Sequence, residues 1–402
     1  MRTQLHRSLM LLPLLSAFGC KEYYSVDEAC HPKGTFRGDD LLTAGEVSAV
    51  DRWNCHRRLV GFERIGINDL TQEAGKGVGA YALENPDLYA NYFRGLADST
   101  TFIDQQPARP AFSGVNVWER LDQVDYRISE VTGTWAYELI GVFDEEIAGE
   151  AIIDAWFSVH FAQEFGITPS VYDAAYHETE LPAEWWQAAF DESGLVAGVG
   201  SAPPIPTGGK LFYALVLSDA PPIEGASEEP ISYPKVDQID VPLSGPLARE
   251  RLGAVSTGTA VEEPEIFSLS YPVSVGYISA LQGLGTSSAT NPYGFEIINA
   301  SIQANNVALD VLWVSPEEAT PANHNLEVDG LLNKWMGSIY AKAPFEPNTV
   351  HTVFVDYTSV DGPASTSFSF TTGSADSAAS ARSAGPSSAP LMNASVRRSL
   401  AP

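Results

Sequence analysis

One short stretch, "SDAPPIEGASEEP" (Ser218 to Pro230), constrains the fold of this chain more than any other. Its prolines, glycine, serines and acids have nothing to bury and read as a linker over residues 218–230. Beyond it, "FSLSYPVSV", "YGFEIINASI", "VALDVLWVS", "WMGSIYAKA", "HTVFVDYTS" and "TSFSFTT" are strand-length runs separated by Pro, Gly and Asn turns. In "TVFVDY", Val353, Val355 and Tyr357 alternate with Phe354 and Asp356, the two-residue period of a half-buried strand. Regularly spaced short strands without helices predict an all-β sandwich of immunoglobulin or fibronectin type over residues 231–373. The Ser/Ala/Pro-rich segment 374–402 reads as a disordered tail.

Upstream of the linker, from about Asp39 to Gly200, the chain reads as mainly helical. Thr43 and Glu46 stand at capping-box spacing and predict a helix start. Val47, Val50 and Trp53 continue one apolar face toward a stop at Gly61. Leu70, Ala74, Val78, Tyr81 and Ala82 outline a second helix, weakened by Gly75, Gly77 and Gly79, and "VNVWERLDQV" outlines a shorter third. "DEEIAGEAIIDAWFSVHFAQEF" gives the clearest pattern, with Asp144 as its cap and Ile147, Ala151, Ala155 and Val159 along one face. "GLVAGVG" and "KLFYALVLS" are short apolar runs that read as strands. Helices closed over by a few strands predict an α+β or three-layer domain over residues 45–217.

Residues 1–19 carry Arg2, His6 and Arg7 ahead of an apolar run from Leu9 to Phe18. The run is too short to cross a bilayer as a mature helix, and the pattern is that of a secretory signal peptide. "LLSAFGC" resembles a bacterial lipobox, whose cysteine, here Cys20, becomes the lipidated first residue. Residues 20–44 would then form a lipidated N-terminal segment, attached to a membrane without a spanning helix. Lys21 stands where an aspartate would signal inner-membrane retention, so the expected location is the cell envelope, at the outer membrane or cell surface, or outside the cell. With Cys20 acylated, Cys30 and Cys55 remain, and an even pair in an exported chain reads as a disulfide. The net charge of −28 repels nucleic acid and anionic headgroups, and no basic stripe offsets it.

"NCHRRLVG" has the form Asn54-x-x-Arg57-x-x-x-Gly61, which resembles the N-x-x-R-x-x-x-G of the CAP superfamily. That family takes in cysteine-rich secretory proteins, antigen 5, plant PR-1 and bacterial SCP-like proteins. The resemblance continues in order through "PAFSG", "WERLDQVDY", "EAIIDAW" with Trp156, and "VAGVG", and covers roughly residues 45–217. The β segment resembles, through "ISYP", "SYPVSV" and its closing "FSFTTG", the immunoglobulin-like module that follows CAP in some bacterial proteins. The resemblance implies a CAP-type α-β-α sandwich followed by an immunoglobulin-like sandwich, with Asn54, Arg57, Gly61 and Trp156 as scaffold. His56 and Cys55 point away from the helix face that Trp53 and Arg57 share, so the cluster around Arg52 is expected to serve the scaffold too.

Many CAP proteins place two histidines and two glutamates around a cleft that can hold a divalent metal, and imidazole with carboxylate suits zinc. Carried onto this sequence, the first histidine has no match ahead of "PAFSG". Glu130 stands near the first glutamate, Glu150 is a loose substitute for the second, and the last histidine is His160 or His177. No G-x-S-x-G elbow, H-E-x-x-H pair, P-loop or EF-hand loop is present in the sequence. The expectation is therefore a surface-anchored, non-catalytic module whose cleft takes a small hydrophobic or glycan-like ligand. The alternative is a metal-dependent hydrolase, a protease or cell-wall enzyme, using a degenerate His/Glu tetrad.

Overall fold

The computed structural model describes residues 22–31, 35–88, 104–126, 134–143, 147–158, 163, 165–168, 171–191, 206–219, 230–244, 270–276, 295–314, 336–359, 362–375 and 395–400. It is a mixed α+β protein. The helices are α1 (Val26–Ala29), α2 (Ala44–Leu59), α3 (Asp69–Glu84), α4 (Val117–Gln123), α5 (Gly149–Phe157) and α6 (Ala183–Asp191). The strands of the first half are β1 (Thr134–Phe143), β2 (Val171–Pro182) and β3 (Gly208–Asp219). They form an antiparallel sheet in which β3 lies between β1 and β2, and a fourth strand, Ser395–Leu400, completes the order on the far side of β1.

This sheet is covered on both faces. Phe212, Ala214 and Val216 of β3, with Leu139 and Phe143 of β1 and Tyr176 of β2, pack under Trp53 of α2 and Trp156 and Phe157 of α5. Leu211, Tyr213, Leu215 and Leu217, with Ala136, Ile140 and Val142, pack against Val78 and Tyr81 of α3, Leu121 of α4 and Trp186 of α6. A strand buried on both faces has no polar side to show, which explains the continuous apolar run in "KLFYALVLS".

The helix ends follow the local sequence. Thr43 caps α2 in a complete capping box: its hydroxyl accepts from the Glu46 amide, and the Glu46 carboxylate accepts from the Thr43 amide at 2.8 Å. The helix ends at Leu59, and Gly61 takes the left-handed conformation that follows, at φ 85°. Asn68 and Asn116 cap α3 and α4.

The second half holds β4 (Ile231–Tyr233), β5 (Val273–Gly276), β6 (Phe295–Ala304), β7 (Val307–Ala308), β8 (Val311–Val314), β9 (Met336–Ala341), β10 (Val350–Ser359) and β11 (Gly362–Thr371). Among the described residues they form two antiparallel four-stranded sheets, ordered β11-β10-β6-β7 and β4-β5-β9-β8. Val353, Val355 and Tyr357 turn inward on β10, as their alternation predicts, while Phe354 faces out.

The two halves share one core. The apolar cluster that begins at Trp53 and Phe157 runs without a break through Tyr233, Tyr271 and Val273 into Ile339, Val353 and Phe370. A buried polar chain crosses the same junction. His56 Nε2 bonds to Asp154 at 2.9 Å, and its Nδ1 contacts the Tyr233 hydroxyl. The carboxylate needs an N–H, so Nε2 carries the proton and Nδ1 accepts from Tyr233. The His56 ring stacks on Phe157 with centroids 3.8 Å apart. Nearby, Gln163 donates to the carbonyls of Phe157 at 2.5 Å and Pro272 at 3.3 Å, and accepts from Ser274 at 2.5 Å. An N-terminal strap closes over the junction: the disulfide Cys30–Cys55 ties it to α2, and the Tyr24 carbonyl accepts from the Ile239 amide at 2.8 Å.

The structure departs from expectation in several places. Between Asp39 and Gly200 helices outweigh strands among the described residues, as expected, but β1 and β2, which were not anticipated, also run through the span. "YHETE" lies in β2, where its polar side chains find partners on neighbouring elements. Residues 395–400 pair in register with β1, Trp135 opposite Leu400 through Ile140 opposite Ser395, where a disordered tail was expected. Ser218 and Asp219, expected in the linker, belong to β3, and residues 220–229 lie outside the described residues. Asp144, "GLVAGVG" and residues 1–21 lie outside the described residues.

Candidate functional site

Asn54, Arg57 and Trp156 are buried within the fold. Asn54 accepts from the Ile65 amide at 2.7 Å and donates to the Ile65 carbonyl at 3.3 Å, fixing the loop after α2. Arg57 donates to the carbonyls of Glu63 at 2.9 Å, Gly166 at 3.1 Å and Thr168 at 2.7 Å. Burial pulls its guanidinium down to about 9, which leaves it charged at neutral pH. Trp53 donates its indole N–H to Gly166 at 2.9 Å and meets Trp156 edge-on, centroids 5.4 Å apart. Cys55 and His56 leave the Trp53 face as expected, one into the disulfide and one into the junction.

Of the residues proposed for chemistry, His177 is the best placed. It lies on β2 beside α3, where glycines leave room: a Cβ on Gly75 would sit 3.7 Å from the His177 Cβ, and one on Gly79 3.2 Å from its Cδ2. Its Nδ1 bonds to Glu46 Oε1 at 2.8 Å, and the imidazole is 21% exposed against 3% for the carboxylate. Glu46 also accepts from the Glu178 amide at 3.0 Å. Burial works to raise the Glu46 carboxyl, but the bonds from His177 and the amides of Glu178 and Thr43 outweigh it and hold it below the ordinary value. With Nδ1–H donating to Glu46, Nε2 is the ring nitrogen left for a further partner. The sequence did not single out Glu46 for this role, because its capping position already accounted for it.

The remaining candidates do not gather around this imidazole. Both Glu178 oxygens are engaged, one accepting from the Tyr176 hydroxyl at 2.8 Å and one from Lys210 at 2.8 Å. Glu150, in the first turn of α5, accepts from the Ser48 hydroxyl. Glu130, His160 and Cys20 lie outside the described residues. Among the described residues no three of His, Cys, Asp or Glu come together in a metal-binding arrangement. A carboxylate already neutralised by a lysine is also a poor cation ligand, so the described donors do not fit zinc.

A second carboxylate that the sequence did not flag is buried on β1. Glu138 takes a charge-assisted bond from Arg120 and accepts from the Tyr213 hydroxyl at 2.6 Å, with both charged side chains sealed from solvent. It joins α4 to the sheet.

A cleft of ≈ 250 Å³ opens beside the disulfide, lined by Arg52, Asn54, Arg58, Arg64 and Glu150. Arg52 is tied to Asp154 at 2.7 Å and Asp27 at 2.6 Å. Charges of both signs and an amide suit a hydroxyl-rich or zwitterionic ligand better than an apolar one. No protein-family model matches the chain, and no curated protein matches it.

Proposed function

We propose that the chain is an exported, lipid-anchored CAP-type protein with an immunoglobulin-like second domain, acting as a non-catalytic ligand-binding or interaction module at the cell surface. The observation that carries this reading is the engagement of its cleft-type residues in the fold. Glu46 caps α2 and braces the edge of β2, Glu178 pairs with Lys210, and Glu150 accepts from Ser48. Of the two ligand classes expected, the charged lining beside the disulfide favours the glycan-like one over the small hydrophobic one.

One observation favours the metal-dependent hydrolase instead: an accessible imidazole nitrogen with a buried carboxylate behind it is the arrangement of a general base. Calorimetric zinc titration and hydrolysis of casein and cell-wall glycan separate the two readings. Wild type and His177→Ala, both starting at Lys21, are compared. The module reading predicts no stoichiometric zinc uptake and equal, background hydrolysis. One zinc per chain, lost together with hydrolysis in His177→Ala, would replace it with the hydrolase.

A further inference from the structure

We propose that Tyr24, Val236 and Ile239 form a bilayer-contact face that seats the molecule against the membrane carrying its anchor. The inference rests on the proposed lipidation of Cys20. These side chains are 42%, 48% and 41% exposed, although large apolar groups are normally covered. They come from distant parts of the chain. The Ile239 amide donates to the Tyr24 carbonyl at 2.8 Å, Lys235 lies 5.9 Å from the Tyr24 ring centroid, and its ammonium reaches the Tyr23 carbonyl at 3.4 Å. The turn that displays Val236 and Ile239 is fixed from behind, where Asp237 donates to Ser369 at 2.7 Å and Thr371 donates to Gln238 at 2.7 Å.

Chain length decides what covers the patch. Tyr24 is four residues from Cys20, a reach of at most about 14 Å fully extended. Acyl chains on Cys20 would therefore hold the patch at headgroup depth whatever path the intervening residues take. A tyrosine and a lysine are residue types that settle in that layer, and two branched aliphatics beside them can reach into the acyl region below it. Glu22, Glu28, Asp237 and Asp240 stand close by in the chain, so the face suits a neutral surface rather than an anionic one.

Hydroxyl-radical footprinting of the full mature protein in phosphatidylcholine vesicles tests this, with the Cys20→Ser chain in solution as reference. The mass of the N-terminal peptide reports acylation separately. If Cys20 proves unacylated, the lipidation reading fails, and coupling its thiol to a maleimide phospholipid puts an anchor at the same residue for the same comparison. The face predicts at least threefold less labelling of Tyr24, Val236 and Ile239 on vesicles, with Val307 and Phe354 unchanged. Equal labelling of the three residues in vesicle-bound protein would overturn it.

Discussion

At the scale of single residues, Arg57 and His56, one charged and one neutral, carry much of the first half's geometry. Arg57 satisfies three carbonyls, that of Glu63 in the loop after α2 and those of Gly166 and Thr168 at the end of a helical turn. Arg57→Met keeps the apolar stem and removes all three donors, so the loss of stability should reach at least about 3 kcal/mol. Urea unfolding measures it directly. His56 behaves differently, because it is buried in its neutral form. Burial pushes its imidazole below 6.5, only partly opposed by Asp154, and burial does the same to His351. Between those lowered values and 6.5 the unfolded chain binds more protons than the folded one, so stability falls as the pH drops through this window. Asp154 and Glu46 are held below 3.8 and 4.5 and withdraw their contribution only at lower pH. Unfolding free energies at pH 7 and pH 5 should therefore differ less in His56→Gln and in His351→Gln than in wild type. An unchanged difference in both variants would remove the imidazoles from the account.

At the scale of elements, α2 and α5 touch through glycine. A Cβ on Gly149 would meet the Gly45 carbonyl at 2.7 Å and the Ala49 methyl at 2.8 Å, and a helix backbone cannot step aside as a side chain can. Gly149→Ala should cost about 1–3 kcal/mol despite alanine's better helix propensity, and chemical denaturation against wild type reads the sign. The same kind of contact limited what the sequence disclosed. Gly75 and Gly79 look like flaws in a helix pattern, yet they let α3 approach Tyr213 and Thr179. The start and end of α2, the bounds of α3 and α4 and the run of β3 were legible, because capping and periodicity are local. β2 was not, because the partners of its polar side chains, Glu46 for His177 and Lys210 for Glu178, are distant in sequence. The polar set of the site was legible only in part for the same reason: His177 could be named from sequence, but its partner lies 131 residues away.

At the scale of the whole molecule, the disulfide and the shared core make the same prediction from two directions. Cys30–Cys55 closes a loop of 25 residues, and Cys30→Ser with Cys55→Ser should cost about 3 kcal/mol and loosen the strap that reaches Ile239. Limited proteolysis should then cut the strap first. The core continues from Trp53 and Phe157 through Tyr233 into Val353, and the chain from Asp154 to Tyr233 crosses at the same place, so the helical layers and the β sheets should stand or fall together. Scanning calorimetry of the intact mature chain reads this coupling. A shared core gives one transition with equal calorimetric and van't Hoff enthalpies. Two separated transitions, one for each half, would contradict it.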